Sequence, residues 1–260
     1  MPYQQNNGVR YFQFEKFSSS ITHAVFTRQG GVSPAPWDSL NVGGTVGDDA
    51  ERVRENRLRS FAALNRPLDS FFDVWLVHSA DVAYADVPRD LDQKPIQADI
   101  ILTDKPNVTL YMRFADCVPI LFHDPKKGVV GISHAGWLGT VRGVCTATVN
   151  AMQKRYGCQP ADILAAIGPS IGPDHYEIGQ DVIMQIQSAF GADTKSLLHT
   201  HKDRAYLDLW LANSIQLQKS GVEQIEVAEV CTACHLDDWF SHRAEKGTTG
   251  RFGALIGLQA

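Results

Sequence analysis

Val118-Pro119-Ile120-Leu121-Phe122-His123-Asp124-Pro125-Lys126-Lys127-Gly128-Val129-Val130-Gly131-Ile132-Ser133-His134 is the stretch that decides the fold. Two apolar runs flank Asp124 to Gly128, where Asp, Pro and Gly suit a chain reversal, so the stretch reads as a β-hairpin. Antiparallel pairing brings Cys117, at the start of the first run, toward His134, at the end of the second. Immediately downstream, Val141, Val144, Cys145, Thr148 and Met152 recur on one face of a helix that Gly157 can end, which makes Cys145 a core residue.

Upstream, Ala24 to Thr27 reads as a strand entering the turn-rich Arg28 to Pro34, and Asp48-Asp49 can cap a helix running to about Leu64. Further strands are expected at Val74 to Val77, Ala98 to Leu102 and Val108 to Met112. After the hairpin come a strand near Ile163 to Ile167 and helices near Gln180 to Phe190 and Leu207 to Ser220, with Asp208 as the cap of the second. Strands near Ile225 to Val230 and Phe252 to Leu258 complete the alternation. Helices covering sheets built partly of hairpins predict an α+β fold of mixed α/β layers. No repeat or long linker divides the chain, so residues 1–260 are read as one domain.

The net charge of -5 gives no electrostatic footprint for nucleic acid or an anionic membrane, which favours a small-molecule partner. Met1 to Gly8 carries no basic stretch leading into an apolar core, and no apolar run approaches the roughly 20 residues of a membrane span. A cytoplasmic protein is expected. The five cysteines then read as reduced thiols or metal ligands rather than disulfides.

Leu76-Val77-His78, Ala115-Asp116-Cys117 and Ile132-Ser133-His134 each set one metal-capable side chain at a strand end. Two imidazoles and a thiolate suit catalytic zinc with a fourth position open, where the metal supplies a Lewis acid and activates water. Asp116 is placed to orient a ligand or shuttle a proton. Spacing alone equally allows a buried strand cysteine and two locally hydrogen-bonded histidines.

The strings around these residues are more specific. Thr27-Arg28-Gln29-Gly30-Gly31-Val32-Ser33, Ser39-Leu40-Asn41, Val77-His78, Ala115-Asp116-Cys117-Val118-Pro119, His134-Ala135-Gly136-Trp137, Ala166-Ile167-Gly168-Pro169, Cys231-Thr232, Phe240-Ser241-His242-Arg243 and Thr249-Gly250-Arg251 resemble the YfiH/YlmD family, also called the laccase-domain or polyphenol oxidase family. The resemblance implies a single-domain layered fold like that of the cytotoxic-necrotizing-factor deamidases, with zinc at His78, Cys117 and His134. It also implies phosphorolysis of adenosine and inosine, with methylthioadenosine as a further substrate, and adenosine deamination. Two departures stand out: Leu138 replaces a usual Arg or Lys, with Arg142 as a substitute, and Ser79 replaces a usual glycine.

Phosphorolysis needs cations beside the sugar and phosphate, for which Arg28, Arg243 and Arg251 are candidates, with Asn41 joining them as a substrate-binding residue. Each arginine also reads as an ordinary surface ion pair. Cys231-Thr232-Ala233-Cys234-His235 matches a haem-attachment pattern, but that needs export, and a zinc knuckle needs a second matched pair, so an ordinary strand-end pair is expected. The scattered histidines argue against a multicopper cluster, although copper can occupy a His2Cys set. Rival functions are a Cys117–His134 or zinc amidohydrolase acting on a muramoyl-amino-acid peptidoglycan precursor, a copper-dependent polyphenol oxidase, and a noncatalytic zinc-binding interaction protein.

Overall fold

The computed structural model describes residues 2–17 and 20–259. A hairpin of β1 (Tyr3–Asn6) and β2 (Val9–Phe12) leads to β3 (Ile21–Phe26) and helix α1 (Ala50–Ala63). Then come β4 (Phe71–Phe72), β5 (Val82–Tyr84), β6 (Ile100–Thr103), β7 (Thr109–Phe114), β8 (Val118–Asp124) and β9 (Val129–Ala135). Helices α2 (Trp137–Val141) and α3 (Val144–Tyr156) precede β10 (Leu164–Ile167), β11 (Glu177–Ile178), α4 (Gln180–Phe190) and α5 (Thr194–Leu197). The chain ends with β12 (Leu198–His201), β13 (Arg204–Leu207), α6 (Leu209–Lys219), β14 (Gln224–Val227) and β15 (Phe252–Leu258).

Two six-stranded sheets, ordered β1-β2-β3-β15-β7-β4 and β14-β10-β8-β9-β6-β5, stack on each other, and β11-β13-β12 forms a small third sheet. The central strands of the two large sheets, such as β8, β9 and β15, are buried on both faces, which is why they read as nearly continuous apolar runs. Ile101, Leu121, Val130 and Ile132 of the second sheet meet Val25, Leu110, Met112 and Ile256 of the first between the sheets. Ile100, Leu102, Ile120 and Phe122 point the other way, under α3, α4 and α6. On the far side, Phe26, Tyr111 and Leu255 pack with Phe61 of α1. The result is a helix, sheet, sheet, helix layering of mixed α/β type.

The hairpin forms as expected, with Asp124 opposite Val129 and Pro119 opposite His134. Asp124 Oδ1 accepts from the backbone N–H groups of Lys126 and Lys127, which closes the turn. Asp49 caps α1 and Asp208 caps α6 through their side chains. Two expectations need correction. The single helix from Val141 to Met152 is broken by Gly143, at φ +78, so Val141 belongs to α2. Val74 to Val77 is no strand: Trp75 makes only an isolated bridge to Gln97, while the N–H groups of Val77 and Ser79 are taken by the Asp99 carboxylate. Among the described residues no helix is long and apolar enough to cross a membrane.

His23 of β3 lies between the sheets, its Nε2 accepting from the N–H of Phe14, a bond that requires the neutral ring. Burial, reinforced by nearby His123, lowers its pKa to about 4. The unfolded chain therefore binds a proton that the folded chain refuses between pH about 6.5 and about 4, and stability falls as pH falls through that window. The full loss is about 3 kcal/mol. Denaturant titrations of the His23→Gln chain, which keeps an acceptor but no titrating group, should show that much less acid destabilisation than the parent chain; equal slopes would contradict this origin.

Candidate metal centre

The hairpin register begins with Val118 opposite Ala135, so Cys117 and Gly136 lie next to each other just outside it, and β9 delivers His134 beside them. A Cβ on Gly136 would stand 2.9 Å from Cys117 Sγ and 3.1 Å from His78 Cδ2, so a side chain here would crowd the thiol and the His78 ring. His78 arrives from the loop that replaced the expected strand, with φ +56. The rings of His78 and His134 lie edge to face with centroids 5.0 Å apart. The ligand-capable atoms of His78, Cys117 and His134 all fall within 4.8 Å of one another.

Asp99, which sequence reasoning missed, organises this trio. It is fully buried, and its Oδ1 pairs with His134 Nδ1 at 2.9 Å while the His134 N–H donates to its backbone carbonyl. Its Oδ2 accepts from the N–H groups of Val77 and Ser79 and from the Ser79 hydroxyl at 3.0 Å. Burial raises the carboxylate, but His134 and these donors outweigh it and hold the pKa below the usual value. The proton on Nδ1 faces Asp99, so His134 turns Nε2 toward the trio. The available signal was an Asp between Ala98 and Ile100 inside an apolar run. Ser79 adds the hydroxyl that a glycine would lack, and Arg142 donates to the His78 carbonyl at 2.7 Å, so the basic residue four places beyond Leu138 does reach this loop.

Burial pushes the Cys117 thiol up, yet the charge and hydrogen bond of His134, with those of His78, bring it down to about 6. Burial likewise opposes charge on His134, but Cys117 and Asp99 raise it to about 9. Without a cation the pair is therefore thiolate and imidazolium around neutral pH. A row of thiolate, imidazole and carboxylate can hold a metal, and it can also act as an activated nucleophile with its base and orienting group.

The other candidates sit around this centre in different states. Asp116, at φ +82, has both carboxylate oxygens engaged, accepting from Thr232 Oγ1 at 2.7 Å and from the Arg243 N–H at 2.6 Å. Arg28 is nearly buried and committed to the protein: it donates to Asp38, the Leu236 carbonyl and Glu245, and lies 4.4 Å from the Phe240 ring centre. Asn41 is fully buried, with Oδ1 accepting from Gly43 and Arg251 and Nδ2 donating to Gly43 and Asp48. It positions the Arg251 backbone.

Arg251 and Arg243 differ from Arg28. Arg251 donates from Nη1 to the Thr249 and Gly250 carbonyls, and Arg243 from Nη1 to the Glu177 carbonyl, so Nε and Nη2 of each have no partner among the described residues. Burial lowers the Arg251 pKa, while the charges of Cys117 and Asp116 counter it. Arg243 covers the Tyr176 ring at 5.1 Å, and burial together with the charge of Cys117 pushes the Tyr176 phenol up. These residues share one electrostatic neighbourhood. An open cleft of about 390 Å³ lined by Arg28, Gln29, Asp38, Ser39, Leu236 and Asp237 lies to one side and includes none of the trio. The cleft is lined by no histidine or cysteine, whereas the trio brings two imidazoles and a thiol together.

A family model described as multi-copper polyphenol oxidoreductase laccase matches residues 22–259. A purine nucleoside phosphorylase of Deinococcus radiodurans is 38% identical over 239 residues, covering 92% of this chain and 90% of that protein. The purine nucleoside phosphorylase YfiH of Escherichia coli is 37% identical over 237 residues, 89% of this chain and 91% of its own. The crystal structure of YlmD from Geobacillus stearothermophilus matches with a TM-score of 0.92 at 36% identity, covering 100% and 99% of the two chains.

The thiolate pair has a direct readout. In metal-stripped protein, alkylation of Cys117 should hold its rate as pH falls and halve near pH 6. In the His134→Gln chain the midpoint should move to the ordinary thiol value of about 8.5 or above. An unchanged midpoint would show that His134 does not stabilise the thiolate. Cys145 and Cys158, buried and with thiols pushed up, should stay unreactive throughout.

Proposed function

We infer that this chain, which belongs to the multi-copper polyphenol oxidoreductase laccase family and to its YfiH/YlmD members, is a zinc-dependent purine nucleoside phosphorylase acting on adenosine and inosine. Methylthioadenosine is a further substrate on this reading, and adenosine deamination a side activity. The observation that carries it is the convergence of a His2Cys donor set with two arginines whose outward donors are unpaired. The donors fit zinc: a ready thiolate, two imidazoles, and a carboxylate behind one of them that fixes its tautomer. His78, Cys117 and His134 would hold the ion, which supplies Lewis acidity when bound.

The chain's own residues do the rest. Arg251 and Arg243 offer planar donors to a phosphate, and the stacked Tyr176 holds Arg243 in place. Asn41 fixes Arg251 through its backbone, and Asp116 ties Thr232 to Arg243, so both cations approach the substrate from rigid supports. Arg28 serves the same wall as a cross-link between Asp38, Leu236 and Glu245. We place the protein in the cytoplasm on the sequence reading above.

A second reading rests on Cys117, His134 and Asp99, which form a thiolate, imidazole and carboxylate row suited to amide hydrolysis, with a muramoyl-amino-acid precursor as substrate. Under that reading chelation leaves activity intact and alkylation of Cys117 abolishes it; under ours both abolish it.

Purified zinc-loaded protein should release hypoxanthine from inosine only when phosphate is present, and ammonia from adenosine. Failure of both while a muramoyl amide is cleaved would transfer the assignment to the hydrolase. Asp99→Asn should weaken zinc binding by about 10- to 100-fold. Arg251→Met should lower kcat/KM for phosphate by about tenfold or more, the worth of a hydrogen bond to a charged group, while leaving zinc content unchanged. Equal losses with every phosphate concentration and a loss of zinc would remove Arg251 from the phosphate site.

A further inference from the structure

We propose that Asp174, His175, Cys231 and Cys234 form a second metal site, which binds zinc and staples the loop after β10 to the loop after β14. β10 and β14 run parallel, Ile167 beside Val227, so both loops leave the sheet at the same end. They stay joined: the Ser170 N–H donates to the Val230 carbonyl, and the Thr232 N–H to the Ser170 carbonyl. This brings the two cysteines to Asp174 and His175, the partners that the C-x-x-C spacing lacks in sequence. The expected strand-end pair is thus part of a four-residue group.

The spacing of the donor atoms suits a tetrahedral ion. Bonds of about 2.3 Å to sulfur and about 2.0 Å to nitrogen and oxygen set neighbouring ligand atoms about 3.5 Å apart. His175 Nδ1 lies 3.5 Å from Cys234 Sγ, 3.8 Å from Cys231 Sγ and 3.2 Å from Asp174 Oδ1, and all four donor atoms lie within 4.8 Å of one another. The Gly172 N–H donates to Cys231 Sγ at 3.2 Å. A Cβ on Gly172 would stand 3.0 Å from both Cys231 Cβ and Asp174 Oδ1, a close approach that glycine accommodates without displacing either. Two sulfurs, a nitrogen and an oxygen close the coordination shell, which makes this a structural site rather than a catalytic one.

Its position gives it a task. Thr232, between the two cysteines, donates to Asp116 beside Cys117, and Tyr176, next to His175, supports Arg243. The staple therefore braces the wall of the first centre without contacting substrate.

The Cys117→Ala chain isolates the second site by breaking the first. After gel filtration it should keep one zinc per chain, and zinc should protect Cys231 and Cys234 from alkylation until a chelator is added. Adding Cys234→Ser, an exposed position, or His175→Gln should remove that zinc while the circular dichroism spectrum stays that of the parent. The proposal is overturned if the folded Cys117→Ala chain holds no zinc, if zinc leaves both thiols equally reactive, or if they are found as a disulfide. None of these readouts depends on nucleoside chemistry, so the two assignments fail separately.

Discussion

The Asp99 carboxylate is fully buried and keeps its charge there because donors converge on it from two chain segments. An ion taken from water without such partners costs several kcal/mol, so the segments that supply them are held in place by the penalty for leaving. Val77 and Ser79 are pulled around the carboxylate, which forces the loop between them into the conformation that presents His78. His134 is oriented by the other oxygen. One side chain thus sets two of the three donors, and the third follows from the hairpin register that seats Cys117 against Gly136.

The electrostatics grow from the same arrangement. Asp99 favours the imidazolium of His134, which in turn favours the thiolate of Cys117. The charge of Cys117 is felt by Arg251, whose backbone N–H is held by Asn41, while Asp116 holds that of Arg243. Polar residues that the family strings single out divide by their partners: His78, Cys117 and His134 group their ligand-capable atoms, Arg243 and Arg251 keep Nε and Nη2 without partners among the described residues, and Arg28, Asn41 and Asp116 spend their polar atoms on the protein.

Much of the layering was legible because buried strands announce themselves as apolar runs and α4 and β15 carry their boundaries in their own pattern. The hairpin was legible from Asp124-Pro125 and Gly128. Val74 to Val77 misled because an apolar pattern does not reveal that a side chain from Asp99 captures the backbone. Gly143 broke a helix whose apolar spacing ran on past it. The Asn7-Gly8 turn, with φ of +50 and +80, closes an N-terminal hairpin that the reading passed over, and the short, half-buried to exposed β11 to β13 gave no run to read. At the site, the ligand trio was visible through its flanking strings, but Asp99 and the His175 partner of the cysteine pair were not, since each acts across a long stretch of chain.

The central claim is that Asp99 and the hairpin assemble one zinc site from His78, Cys117 and His134. Zinc-edge X-ray absorption on the Cys234→Ser chain, in which the second site is disabled, tests it most directly. The account predicts a shell of one sulfur at about 2.3 Å and two imidazole nitrogens at about 2.0 Å, with a further light atom from solvent or phosphate. A zinc shell without sulfur, or with two sulfurs, would contradict it.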